Sequence, residues 1–218
     1  MANVNRKSER VGTKAASAKG KATQSRIFRA ATKEFAEKGF AGARIDTIAT
    51  EAGVNKQRIY AYFGDKEGLF IEIWKRTFEL IYEEDKEFLS LSDEDIPNLG
   101  QIILKSYMEF HDRHPEFWRI FVMENLFGGR HGRPGHTRDD KPYGRIRDLY
   151  AKGQDRGLFR RDVSFDTFIF VLTGVSYFYA SNRSTMSDNL GIDLSDGSVR
   201  ERMVDEMCLM LFGNSSPS

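Results

Sequence analysis

The sequence predicts an all-α protein: a three-helix N-terminal head with a helix-turn-helix and then a larger helical body, about nine helices in all. Three observations carry this. Ile45, Ile48, Ala49 and Ala52 recur at i, i+3, i+4 and i+7, which gives a short helix one apolar face. Directly beyond them stands Gly53, the residue type that most often ends a helix in the left-handed conformation, and then Asn55, a good N-cap. Apolar patterns at helical spacing then continue to residue 212, punctuated by Gly64, Pro97, Pro115 and Gly157.

Residues 1–22 are mostly Lys, Ala, Ser, Gly and Thr with almost nothing to bury, and are expected to form a disordered basic arm. Two readings of the arm stand: it follows the DNA backbone or a minor groove, or it is a solubilising tail without contacts. The head occupies residues 23–69. Its first helix covers about 23–38, turning Ile27, Phe28, Ala31 and Phe35 inward, and Gly39 ends it. The pair around Gly53 follows, since neither of its helices could bury an apolar face alone. In the second of the pair, Ile59 and Phe63 point one way, while Lys56, Gln57, Arg58, Tyr60 and Tyr62 form an outer face with no apolar surface to hide. A helix, a glycine turn and a helix with a polar outer face is the arrangement whose second helix enters the DNA major groove.

The body occupies residues 70–214. A fourth helix, capped by Asp65, runs through Leu69, Phe70, Ile73, Trp74, Phe78 and Ile81 to about Leu89, and so belongs to both halves. The fifth covers about 97–111, the sixth 115–127 and the seventh 141–156, with a glycine-rich mobile loop over 128–139. The eighth, 164–181, is apolar on nearly every side and must be covered all round. The ninth, 198–212, opens with the capping-box pattern Ser198-x-x-Glu201 and carries Met203, Met207, Met210 and Leu211 on one side, a stripe that Val204 and Cys208 widen. Such late helices serve either a dimer interface or core packing within one subunit.

At 218 residues, with 40% hydrophobic and 30% charged residues, the chain can bury a real core. The net charge of +1 hides an asymmetry: fourteen basic against seven acidic residues in 1–70, nineteen against twenty-five thereafter. A basic head on an acidic body suits a protein that meets phosphate at one end only. The longest apolar run, residues 168–172, is too short to span a bilayer, and no apolar signal segment follows the first residue, so a cytoplasmic protein without membrane contact is expected. The single cysteine, Cys208, is expected to be a buried structural thiol.

Within 39–69, the pairs and triplets Gly39-Phe40, Ile48-Ala49, Ala52-Gly53-Val54, Ile59-Tyr60, Tyr62-Phe63 and Lys66-Glu67-x-Leu69 stand in a fixed order and spacing. In these the chain resembles the tetracycline-repressor (TetR) family of one-component transcriptional regulators. The close resemblance covers about a fifth of the chain. Two departures fall at DNA-contacting places: Ala43-Arg44 where the family often has Thr-Thr, and Asn55 with Gln57 where it often has Ser and Gly. They alter the operator expected and leave the fold expectation intact.

The resemblance implies a repressor that binds a palindromic operator as a homodimer through its last two helices and is released by a small-molecule effector. The alternative is an orphan regulator whose body binds a protein partner. DNA contacts are expected from Arg44, Asn55, Lys56, Gln57, Arg58, Tyr60, Tyr62 and Lys66. Gln57 and Arg58, in the first turn, suit adenine and guanine edges; Tyr60 and Tyr62 suit phosphates or thymine methyls; Lys66 and Arg44 suit the backbone. The implied effector pocket lies among helices four to eight, and the residues assigned to it are Trp74, Phe78, Tyr107, His111, Phe121, Asn125, Thr173 and Tyr177. Aromatics at helical spacing also make ordinary core, and polar residues on apolar helices also make satisfied structural networks. Residues 119–126, RIFVMENL, bear a faint likeness to a pyrimidine-sensing branch of the family, over too few residues to name a ligand.

No enzymatic activity, cofactor or metal is expected. His111-x-x-His114 lacks accompanying ligands and Pro115 breaks its helix. The glycine-rich run 128–135 lacks both a preceding strand and the Gly-Lys-Ser/Thr ending of a phosphate loop, and neither a nucleophile elbow nor HExxH occurs.

Overall fold

The computed structural model describes residues 3–126, 128–129 and 141–212, with side chains from residue 20 onward. Among the described residues there are nine α-helices and no strand: α1 Asn3–Gly42, α2 Ile45–Ala52, α3 Lys56–Phe63, α4 Lys66–Asp85, α5 Leu99–Arg113, α6 Pro115–Leu126, α7 Lys141–Asp155, α8 Phe165–Leu190 and α9 Gly197–Phe212. Short 3-10 turns at Lys86–Ser90 and Ile96–Asn98 bracket the acidic loop. The chain forms two compact units, Met1–Thr77 with Arg119–Gly132, and Phe78–Trp118 with Arg133–Ser218. The division differs from a simple cut at residue 70, because the later part of α6 groups with the head.

In the first unit, Ile27, Ala31 and Phe35 of α1, Ile48 and Ala52 of α2, Ile59 of α3 and Leu69, Phe70 and Ile73 of α4 are buried, the inward faces read from the sequence. Phe70 meets Phe35 and Phe40 edge-on at 5.1 and 5.3 Å. The helix expected to end at Gly39 kinks there instead, with φ 67° and ψ 174°, and continues for another turn. That left-handed conformation favours glycine, and the missing side chain leaves room for Met123 of α6, whose Sδ lies 3.2 Å from where a Cβ would stand. The backbone is helical from Asn3, where a disordered arm was expected over residues 1–22. That segment has no proline and is rich in alanine and lysine, which favour helix even without an apolar face.

In the second unit, α5 packs on α8 and α9. The core joins Ile103, Leu104, Ile146, Leu149, Tyr150, Phe159, Phe168, Leu172 and Val204. Asp93 of the acidic loop ties down α7 through Lys152 at 2.7 Å and Arg156 at 2.6 Å. The carboxylate of Asp112 on α5 holds Arg183 of α8 at 2.6 Å with one oxygen and Arg200 of α9 with the other.

Three boundaries depart from the sequence expectation. The fourth helix stops being α-helical at Asp85 and closes as a 3-10 turn. The eighth begins as expected, with Ser164 Oγ accepting the Thr167 amide at 3.2 Å, but runs to Leu190, nine residues beyond the end of its apolar stretch. The ninth is capped by Asp196 rather than by the Ser198-x-x-Glu201 box: Asp196 Oδ1 accepts the Ser198 amide at 2.7 Å and its hydroxyl at 2.6 Å. A carboxylate makes the stronger cap because it also meets the positive end of the helix dipole. The glycine-rich loop expected over 128–139 lies outside the described residues except for Gly128 and Gly129.

Candidate nucleic-acid interface and effector site

The helix-turn-helix is built as its sequence dictates. Gly53 takes the left-handed conformation (φ 63°, ψ 44°), and the Val54 amide returns to the Ala49 carbonyl at 3.0 Å, closing α2. Asn55 is extended, and its side-chain oxygen accepts the Arg58 amide at 2.9 Å, which starts α3. Gly64 ends α3, and Asp65 Oδ1 accepts the Gly68 amide at 2.7 Å to open α4. Gly68 is required for this corner: a Cβ there would lie 2.1 Å from the Phe63 carbonyl oxygen.

The expected DNA-contacting residues divide by what the fold already asks of them. Gln57, Arg58 and Tyr60 are exposed on α3, whose Ile59 is buried. Arg58 also lies against the Tyr62 ring, its guanidinium 5.9 Å from the centroid. Lys56 is exposed and reaches back to Asp46 of α2 at 3.2 Å, an exposed pair that phosphate could displace at small cost. Asn55 spends its carbonyl oxygen on the cap, leaving only its amide NH2 for DNA. Tyr62 is half-buried and turned toward α1, its hydroxyl 3.7 Å from a Cβ position at Gly20. Lys66 donates to the Ala41 carbonyl at 3.3 Å and lies over the Phe40 ring at 4.9 Å, so it fastens α4 to the end of α1. Arg44 presents an exposed side chain, while its amide donates to the buried Glu34 carboxylate at 3.1 Å. Sequence reasoning passed over Glu34, which sits at the N-terminus of α2 where a negative charge is favoured.

The residues expected to line an effector pocket fall in both units. Trp74, Phe121 and Asn125 fall in the first unit, and Phe78, Tyr107, His111, Thr173 and Tyr177 in the second. Trp74 stacks on Phe121 at 5.8 Å, whereas Asn125 is exposed. Thr173 is exposed too, and its carbonyl accepts the Ser176 hydroxyl at 2.9 Å. Asn125 and Thr173 sit on the outward faces of their helices, which the apolar residues beside them in sequence concealed. Tyr107 belongs to the core beside Phe88 and approaches the Tyr143 hydroxyl at 3.5 Å; burial pushes its phenol well above the usual range.

His111 remains, with a ring neighbourhood of its own. Its centroid lies 5.8 Å from Phe110, 6.0 Å from Phe117 and 6.4 Å from Tyr177, and Phe117 meets Phe78 at 6.5 Å. The residue is 7% exposed and its Nδ1 is buried without a hydrogen-bond partner among the described residues. Burial, opposed by the Asp112 charge, pushes the imidazole down to about 4, so it is neutral at pH 7. An orphaned polar atom of this kind costs about 1–3 kcal/mol. Phe117 was missed; its position one turn from His114, just after Pro115, was the available signal. Among the described residues no group of three metal-ligating side chains occurs, and no helix is long and apolar enough to cross a membrane.

Cys208 is half-buried rather than buried, and burial pushes its thiol up to about 11, with Asp205 adding to the shift. Part of the apolar surface on the last two helices has no cover among the described residues. Phe170 is 73% exposed on α8 and Phe178 lies open beyond it, while on α9 Met210 is 86% exposed beside Leu209 and Leu211.

A capped recognition helix with an open polar face, on a basic head, defines a helix-turn-helix DNA-binding protein of the transcription-regulator class. Residues 27–73 match the tetR family of bacterial regulatory proteins, and residues 101–211 match the tetracyclin repressor-like C-terminal domain. The chain belongs to the TetR family, whose members are non-enzymatic DNA-binding regulators of transcription. It is 36% identical to the HTH-type transcriptional repressor NicS of Pseudomonas putida over 178 residues, covering 80% of this chain and 83% of that one. It is 33% identical to the HTH-type transcriptional repressor SCO4008 of Streptomyces coelicolor over 156 residues, 71% of this chain and 77% of that one. The fold is shared with the transcriptional regulator SCO4942 of Streptomyces coelicolor, with a TM-score of 0.63 at 22% identity over 86% of this chain and 97% of that one.

Proposed function

We propose that this regulator is a repressor that binds a near-palindromic operator as a homodimer and leaves it when a small-molecule effector binds. The observation that carries the dimer is the set of large apolar side chains left open on α8 and α9: Phe170 and Phe178 on one, Leu209 and Met210 on the other. Monomeric proteins rarely leave so many large apolar side chains open to water. A two-fold pairing of these helices covers them and presents two copies of α3, about 34–36 Å apart or a multiple of that, to successive half-sites.

On each half-site Gln57 and Arg58 read base edges, with Gln57 suited to adenine and Arg58 to guanine. Tyr60 meets phosphate or a thymine methyl. Lys56 and Arg44 hold the backbone, joined by Lys66 through the N-terminal end of α4. The His111 neighbourhood in the second unit is the effector site. The coupling asked of it is modest, about 1–3 kcal/mol, provided the effector prefers one spacing of the heads. The protein works in the cytoplasm, where operator DNA is.

Selection of duplexes from a random pool by the full chain, with sedimentation on the same preparation, tests this reading. A dimer that enriches an inverted repeat is expected. A monomer, or enrichment of a single half-site, overturns it. Melts that no metabolite shifts, with operator binding retained, would replace the effector by a protein partner of the second unit.

A further inference from the structure

His111 Nδ1 is a hydrogen-bonding atom that the fold buries and leaves without a partner among the described residues. Native interiors rarely retain such atoms, and one that persists calls for a reason. Its surroundings narrow the reason. Phe110 and Phe117 are buried beside it, whereas Tyr177 and Phe78 are only half-buried, so the cluster is closed on one side and incompletely covered on the other. None of these neighbours is lysine or arginine. Of the arginines nearby on α5, α8 and α9, Arg113 is paired with Glu84, and Arg183 and Arg200 are both paired with Asp112.

We propose that the effector is an uncharged planar ring compound that hydrogen-bonds His111 Nδ1 through a hydroxyl or amide group, its ring lying against Phe117 and Tyr177. This deepens, and rests on, the reading of the His111 neighbourhood as the effector site. Aromatic walls with one placed polar atom are the usual composition of a small-molecule site, and offset or edge-on ring contacts add to the area they bury. A carboxylate would lose its hydration here without gaining a cation, and an ammonium group would lose its own against an imidazole with no charge to offer. A hydroxyl or amide matches Nδ1 in either tautomer, because each can both donate and accept.

Titrating the full chain with phenol, benzamide, benzoate and benzylamine tests the proposal, with thermal melting and imidazole 15N shifts as readouts. Phenol or benzamide is expected to raise the melting midpoint and move the His111 Nδ1 resonance. Benzoate and benzylamine are expected to do neither. His111→Phe should abolish both responses, and His111→Gln, which keeps a polar atom, should restore part of the midpoint shift. Helical content should be retained in both variants. Stronger binding of either ion, or phenol and benzamide binding equally well to His111→Phe, overturns the proposal and leaves effector release standing. If none of the four probes binds up to its solubility limit, the proposal falls. If metabolite mixtures also leave both the melt and the operator complex unmoved, effector release falls with it.

Discussion

The side-chain oxygen of Asn55 accepts the backbone amide of Arg58 at 2.9 Å, so the residue that starts the recognition helix also fixes the turn carrying Gln57 and Arg58. Asn55→Ala should therefore cost about 1 kcal/mol of stability through the lost cap. Operator affinity should fall along with it, by a similar factor for every sequence. Asn55→Asp keeps the cap and should recover the stability. Melting curves and filter binding on two unrelated duplexes separate the effects.

Arg58→Ala should weaken operator binding by about 1–3 kcal/mol and relax selectivity at one base position. Lys56→Ala should weaken all duplexes alike and lower the slope of log K against log salt by about one. A uniform loss for Arg58→Ala, measured over a set of single-base operator variants, would assign it to phosphate instead.

Gly68→Ala sets two effects against each other. Alanine favours helix over glycine by about 1 kcal/mol. The added Cβ, however, would lie 2.1 Å from the Phe63 carbonyl oxygen, and that atom is backbone. Accommodating it requires α3 and α4 to part, at about 1–3 kcal/mol by analogy with overpacked cores. A net loss of stability is expected, with a loss of DNA affinity larger than the melt alone accounts for.

His111 makes stability depend on pH in a defined direction. Its folded value of about 4 lies below the ordinary 6.5, so between these the unfolded chain binds a proton that the folded chain refuses. Stability is lost as pH falls from about 6.5 toward 4, by up to about 3 kcal/mol from this residue. His111→Phe should remove that part of the slope. The difference between the two proteins at pH 7 and pH 4.5, from denaturant melts, isolates it because the other groups are shared.

Phe170→Glu combined with Met210→Glu places charge among the open apolar side chains of α8 and α9. Sedimentation should show monomers, with helical content retained and operator affinity reduced at least a hundredfold. A dimer that survives both changes would place the interface elsewhere.

The head was legible because each local signal agreed with its neighbours: the apolar face from Ile45 to Ala52, the turn at Gly53, the cap at Asn55. Periodicity placed the remaining helices too, but not their limits. The polar continuation of α8 to Leu190 carries no apolar pattern, and the cap at Asp196 lies just outside the box that Ser198 and Glu201 spell. For the interface, the sequence gives which side chains face outward. It cannot give that Lys66 also reaches Phe40 and Ala41, since those partners are distant in sequence. The effector residues were the least legible. Asn125 and Thr173 read as buried from their apolar neighbours yet lie outside, and the orphaned atom of His111 is a property of packing alone.

The carboxylate of Asp112 grips one guanidinium from α8 and another from α9. Three rods are thereby riveted at a single point, and α5 cannot twist there without dragging both terminal helices along. His111 is the next residue on that rod, so a push on its ring arrives at the rivet first.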